Sequence, residues 1–139
     1  QIGSSGNYAK IGSSGYSAQI GSSGDSAQIG SSGYYAKIGS SGYSAQIGSS
    51  GDSAQIGSSG DSAKINAAGE SPIVAIAGFN AQFKVGPNGC VSAPYKDTAG
   101  RVRFAIGYEG ENIKRDTWYR VTEAGQFEEV ESAESAEVE

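Results

Sequence analysis

The fold class predicted by this 139-residue sequence is all-β: a parallel β-solenoid of nine-residue repeats, capped by a small antiparallel β module. Three observations predict it. Ile2, Ile11, Ile20, Ile29, Ile38, Ile47 and Ile56 each open the motif Ile-Gly-Ser-Ser-Gly-x-x-Ala followed by Gln or Lys. Ala9, Ala18, Ala27, Ala36, Ala45, Ala54 and Ala63 hold its eighth position without exception. From Phe83 the composition changes, and Arg101–Tyr108 alternates with Val102, Phe104, Ile106 and Tyr108 on one face.

Each repeat reads as one strand and one corner. Ala-x-Ile puts two apolar side chains on the inner face of a short strand, with Gln or Lys pointing outward between them. Gly-Ser-Ser-Gly then supplies the corner, where Gly tolerates the φ > 0 of tight turns. Two Gly in every nine residues exclude a helix. With 22 Gly and 23 Ser the chain has the composition of a flexible linker, but a linker has no reason to place Ile every nine residues. The register outlasts the clear motif. Ile65 opens a degraded copy that keeps Gly69 and has Pro72 in place of Ala, and Val74 opens another that keeps Gly78, Ala81 and Gln82.

Two coil sizes compete. Residues 2–28 and 29–55 are identical except for Asn7 against Tyr34, which suggests three repeats per coil. A recent duplication explains the same identity, and a triangular core lined only by Ile and Ala would be hollow. Two repeats per 18-residue coil are therefore expected, with Ile facing Ile across a narrow core and serines stacked in ladders. Residues 1–82 form this array, 83–130 the capping module and 131–139 an acidic tail.

Within the clear copies only the sixth and seventh positions vary substantially. They hold Tyr8, Tyr16, Tyr34, Tyr35 and Tyr43 beside a corner, a candidate aromatic strip for a protein or glycan partner. Tyrosines that shield the ladder edges are the plainer alternative. The nonapeptide period raises the question of calcium, which needs six to eight oxygens. In an 18-residue coil only Asp52 and Glu70 form an acidic pair in register, while Asp25 stacks on Tyr43 and Asp61 on Phe79, so no metal site is expected. An ice-binding face is not expected either, since no Thr-x-Thr rank is present.

The carboxy-terminal module has turn signals at residues 86–89 and 98–100 flanking a strand around Val91–Tyr95. A hairpin is expected from Trp118–Val121 to Gln126–Val130. Phe83, Val91, Phe104, Ile106, Trp118 and Phe127 are its expected core. Arg101, Arg103, Lys114, Arg115 and Arg120 are interleaved with Glu109, Glu111 and Asp116, the pattern of a solvated face, so a nucleic-acid partner is not expected. Cys90 reads as a small core or turn residue. Glu128–Glu139 reads as a disordered, solubilising tail, or more sharply as an acidic strand for a basic surface.

The net charge of −5 resolves into −1 over residues 1–82, +2 over 83–127 and −6 over the last twelve. Without His no His-dependent triad or His-ligated metal is possible, and one Cys forms no internal disulfide. Neither catalysis nor a cofactor is expected. No run of 18 apolar residues and no leader is visible, so no membrane span or signal peptide is predicted. Because the chain opens on Gln1 in mid-pattern, it is expected to be a fragment or a processed product.

The repeats, together with Gly110-Glu111-Asn112-Ile113-Lys114-Arg115-Asp116-Thr117-Trp118-Tyr119-Arg120-Val121 near the end, resemble nonapeptide-repeat proteins of bacteriophages, prophages and gut bacteria. The resemblance implies a repeat array closed by a small β module, often behind a further amino-terminal domain, and carries over no catalytic residue. Two functions follow as expectations. One is a non-enzymatic structural rod that self-associates into oligomers or filaments. The other is a binding module, either a Tyr-lined adhesin or an inhibitor of a host defence protein.

Overall fold

The computed structural model describes residues 1–130, and the expected acidic tail at 131–139 lies outside them. The described chain is a two-sided parallel β-solenoid of about five coils ending in antiparallel strands. Its strands are β1 (Ile2–Ser4), β2 (Lys10–Ser13), β3 (Gln19–Ser22), β4 (Gln28–Ser31), β5 (Lys37–Ser40), β6 (Gln46–Ser49) and β7 (Gln55–Ser58). There follow β8 (Lys64–Ala67), β9 (Ile73–Ile76), β10 (Gln82–Val85), β11 (Cys90–Lys96), β12 (Val102–Tyr108), β13 (Tyr119–Val121) and β14 (Phe127–Glu129). One sheet runs β1-β3-β5-β7-β9-β11-β12, and the other runs β14-β13-β10-β8-β6-β4-β2. Ile2 pairs with Ile20 and Ile11 with Ile29, so each coil is two repeats, 18 residues, as the core argument required.

The strand is Gln/Lys-Ile-Gly-Ser, with Ile and the third-position Ser inward and Gln or Lys and Gly outward. The preceding Ala is buried at the corner. Towards the carboxy-terminal end the inward Ser gives way to Ala67, Ile76 and Val85, and the core becomes wholly apolar there. The buried hydroxyls of Ser22, Ser31, Ser40, Ser49 and Ser58 have no protein partner.

The corners differ from the expectation. None of the glycines of the clear repeats has positive φ; the left-handed residue is the seventh, from Tyr8 (φ 61) and Ser17 (φ 55) through Ser71 (φ 58) and Asn80 (φ 62). The reversal has a reason. It turns the seventh amide towards the following coil, so Ser26 donates to the Tyr43 carbonyl and Ser44 to that of Asp61, both within 2.9 Å. Most other corner amides donate to the preceding coil, as Ser41 does to Ser22 at 3.0 Å. Paired in both directions, the corner leaves few backbone groups without partners. The fifth glycine serves closeness instead. A Cβ on Gly24, Gly33, Gly42, Gly51 or Gly60 would overlap the backbone carbonyl of the glycine 18 residues earlier.

A β-branched residue cannot hold the left-handed conformation without strain of about 1–2 kcal/mol. Ser44→Val is therefore expected to lower stability by about that amount, while Ser44→Gly is not. Urea midpoints at unchanged slope measure the difference; equal midpoints for the two variants refute the corner assignment.

The coil does not stop at residue 82. Phe83 stacks on Ile65 in register, and Cys90–Ser92 still pairs in parallel with β9. The antiparallel part is split between the sheets, β12 closing one and the β13–β14 hairpin the other. The strand expected around Val91–Tyr95 and the hairpin are present. Phe83 and Val91 are core, and Phe127 packs against it half-buried. Phe104 and Ile106 are not: they are 58% and 50% exposed. The expected alternation has the correct period and the opposite facing, because β12 buries its small side, Ala105 and Gly107, and Gly107 faces Ile113 and Phe127. Glu128 and Glu129 belong to β14 rather than to a disordered tail.

Candidate binding surfaces

Two kinds of surface are available, the corner edges and the flat outer faces of the sheets. All five candidate tyrosines are exposed, but an 18-residue coil divides them. Tyr16, Tyr34 and Tyr35 share one edge, where the rings of Tyr16 and Tyr34 stack at 5.3 Å between centroids. Tyr8 and Tyr43 lie on the opposite edge, two coils apart with Asp25 between them. There is no five-residue strip. There is one three-residue cluster and two isolated rings. Once the coil length is fixed this is arithmetic: Tyr16 and Tyr34 differ by 18 residues, whereas Tyr8 and Tyr35 differ by 27 and fall on opposite edges.

The sixth-position carboxylates work on the backbone. Asp25 Oδ1 accepts from the amide of Tyr43 at 3.0 Å, Asp52 from Glu70 at 2.9 Å and Asp61 from Phe79 at 2.9 Å. Asn7 does the same for Asp25 at 2.9 Å. That amide points at the coil below, where the carbonyl is engaged by the seventh residue, so a short side-chain oxygen satisfies it. Asp is thus explained at this position without a metal.

The five clustered bases are each paired. Arg101 and Arg103 both meet Asp97, Arg103 at 2.7 Å; Lys114 meets Glu129, Arg115 meets Glu109 and Arg120 meets Glu128. The hydrogen bond from Arg103, with the amides of Arg101 and Ala99, holds the Asp97 carboxyl below its usual range. Glu109 is likewise held low, first by the Asn88 amide and then by Arg115. This is the solvated, internally compensated face that the sequence suggested.

The outer faces were not singled out from the sequence. The second-position glycine lies at the centre of each outer strand face, where a Cβ on Gly21, Gly30, Gly39, Gly48 or Gly57 would meet nothing within 4 Å. Columns of glycine therefore form a flat trough along each sheet, bordered by Gln or Lys on one side and Ser on the other. On the first sheet the trough ends against exposed Ile73, Phe104, Ile106 and Tyr108. On the second it ends at Lys64, Asn66, Gln82 and Lys84, with the Lys84 ammonium 5.5 Å from the ring centre of Trp118. Cys90 is a free, half-buried thiol at the border of the apolar end.

No known protein family, curated protein or solved structure matches this chain.

Proposed function

We propose that the chain is a non-enzymatic structural repeat protein whose rod associates with further copies of itself through its flat faces. The observation that carries this reading is the second-position glycine. The coil does not need it: its φ is negative and the space outside it is open. Gly in a strand interior weakens the strand and marks a bulge, a tight bend or the close approach of another backbone or a ligand. These strands pair in unbroken register, which leaves the close approach. Repeated in seven strands on two faces, it is a surface made to be approached. Sedimentation velocity from about 1 to 500 μM is expected to show mass above the 14.1 kDa monomer that rises with concentration. A monomer throughout overturns the reading.

The stacked tyrosines favour a second reading, a binding edge for a protein or glycan. Replacing Tyr16, Tyr34 and Tyr35 together by Ser is expected to abolish capture of such a partner and to leave the circular dichroism unchanged. Retained capture removes the edge from consideration. Tyr8→Ser with Tyr43→Ser is the matched control on the opposite edge.

A further inference from the structure

The outer face of the first sheet is graded along the rod. Down its central column the paired residues read Gly3, Gly21, Gly39, Gly57, Ala75, Ser92 and Ile106. The bordering column runs Gln1, Gln19, Lys37, Gln55, Ile73, Cys90 and Tyr108 over the same strands. The face is therefore low and polar at one end, high and apolar at the other. Ile73, Phe104, Ile106 and Tyr108 at the high end are between 48% and 58% exposed, a contiguous patch of the kind that marks an interaction surface.

We infer that this face is a homodimer interface in which two copies pack face to face with their rods antiparallel; the inference rests on the self-association proposed above. A two-fold axis lying in the interface, parallel to the strands and passing near Gly57, sets each bulky row over a small one. Ile106 then lies over the partner's Gly3, Ser92 over the partner's Gly21 and Ala75 over the partner's Gly39. Parallel packing would instead set bulk on bulk and leave trough facing trough. Charge permits the arrangement, since Lys37 carries the one ionised side chain in the two columns and it meets the partner's Ile73 rather than its own copy.

Addition of a strand at the β12 edge is a competing route, and the fold obstructs it there. Asn112 Oδ1 accepts from the Tyr108 amide at 2.8 Å and its Nδ2 donates to the Ile106 carbonyl at 3.0 Å, so the Ile106–Tyr108 end of the β12 edge is closed by a side-chain amide. The face remains. Seven strands at about 4.8 Å spacing and four residues of about 3.3 Å each give roughly 400 Å² per copy before side-chain relief. Doubled, this is about 800 Å², under the roughly 1,000 Å² of a stable interface, so the dimer is a transient one with a dissociation constant of tens to hundreds of micromolar.

Cysteine placement tests the geometry. Cys90 and Gln19 lie four strand spacings apart within one copy, about 19 Å, too far for a disulfide, and adjoin across the inferred interface. The full chain carrying Gln19→Cys is expected to form a covalent dimer under mild oxidation, more fully than the Gln1→Cys or Lys37→Cys chains. Gln28→Cys, on the other sheet, is expected to give none. Ile106→Lys, at an exposed position, is expected to return the mass to monomer with the circular dichroism unchanged. Association that survives Ile106→Lys, or cross-linking as strong through Gln28→Cys, overturns this interface while leaving self-association standing. A wild-type chain that is monomeric at every concentration overturns both.

Discussion

Gly42→Ala is expected to destabilise the solenoid by several kcal/mol, while Gly39→Ala, three residues earlier in the same repeat, changes stability by no more than about 0.5–1 kcal/mol. The two glycines answer to different constraints. At Gly42 an added Cβ would overlap the carbonyl oxygen and carbon of Gly24, well inside 3.0 Å, and both atoms are backbone. The coils would have to part by more than an ångström at that corner. Three hydrogen bonds cross it: Ser41 to Ser22 at 3.0 Å, Tyr43 to Asp25 at 3.0 Å and Ser26 to Tyr43 at 2.8 Å. Each is worth about 1 kcal/mol net, and a stack whose total stability is about 5–15 kcal/mol has little with which to absorb their joint loss. At Gly39 the added methyl meets nothing within 4 Å, and Ala loses less conformational entropy in a strand. Denaturant melts at a concentration where the chain is monomeric separate the two. Equal losses at both positions refute the division of labour between the glycines.

Much of the fold was legible because the period carries it. Ile every nine residues and Ala always two before it specify which side chains face inward, and the emptiness of a three-sided core selected 18 residues per coil. The corner was misread for a physical reason. Glycine is the usual bearer of positive φ, so Gly-Ser-Ser-Gly was given the left-handed residue that Ser and Tyr adopt at the seventh position. Glycine's other property, the lack of a Cβ, decides the fifth position, and no local rule distinguishes the two uses. The facing of β12 was illegible for a similar reason. Strict alternation says that Val102, Phe104, Ile106 and Tyr108 share a side; which side is outward depends on β12 being the last strand of its sheet, with Phe127 and Ile113 covering the other side. The tyrosine edges were readable once 18 was accepted. The graded face was not, because it joins strands from the repeat array to β12 and appears only when β9, β11 and β12 are set in register.

Phe83→Ala is expected to cost about 3–5 kcal/mol and to undock the β13–β14 hairpin before the coils unfold. Phe83 is wholly buried, at the point where the stack of Ile on Ile meets the closing strands. Its ring meets Phe127 edge to face at 5.7 Å, and Phe127 in turn meets Tyr119 at 6.3 Å, so one side chain carries the contact between β10 and both strands of the hairpin. The hairpin also rests on Gly107 through Phe127, on the core through Val121 and on Tyr95 at its Gly125 turn. But Phe83 and Tyr119 are its one paired register position on β10, with the Tyr119 hydroxyl accepting from the Lys114 amide at 2.8 Å. A methyl in place of the ring leaves a cavity that a thin coil cannot close by collapse, since its backbones are already locked at 18-residue spacing. The single tryptophan reports the event. Trp118 stands immediately before β13 under the Lys84 ammonium, so undocking exposes it and shifts its emission to the red at denaturant concentrations where the circular dichroism of the coils persists. Phe83→Leu, which keeps most of the volume, is expected to retain the wild-type emission. Coincident loss of both signals in Phe83→Ala would show instead that the hairpin and the coils are one cooperative unit, with the cap as much a part of the solenoid as any repeat.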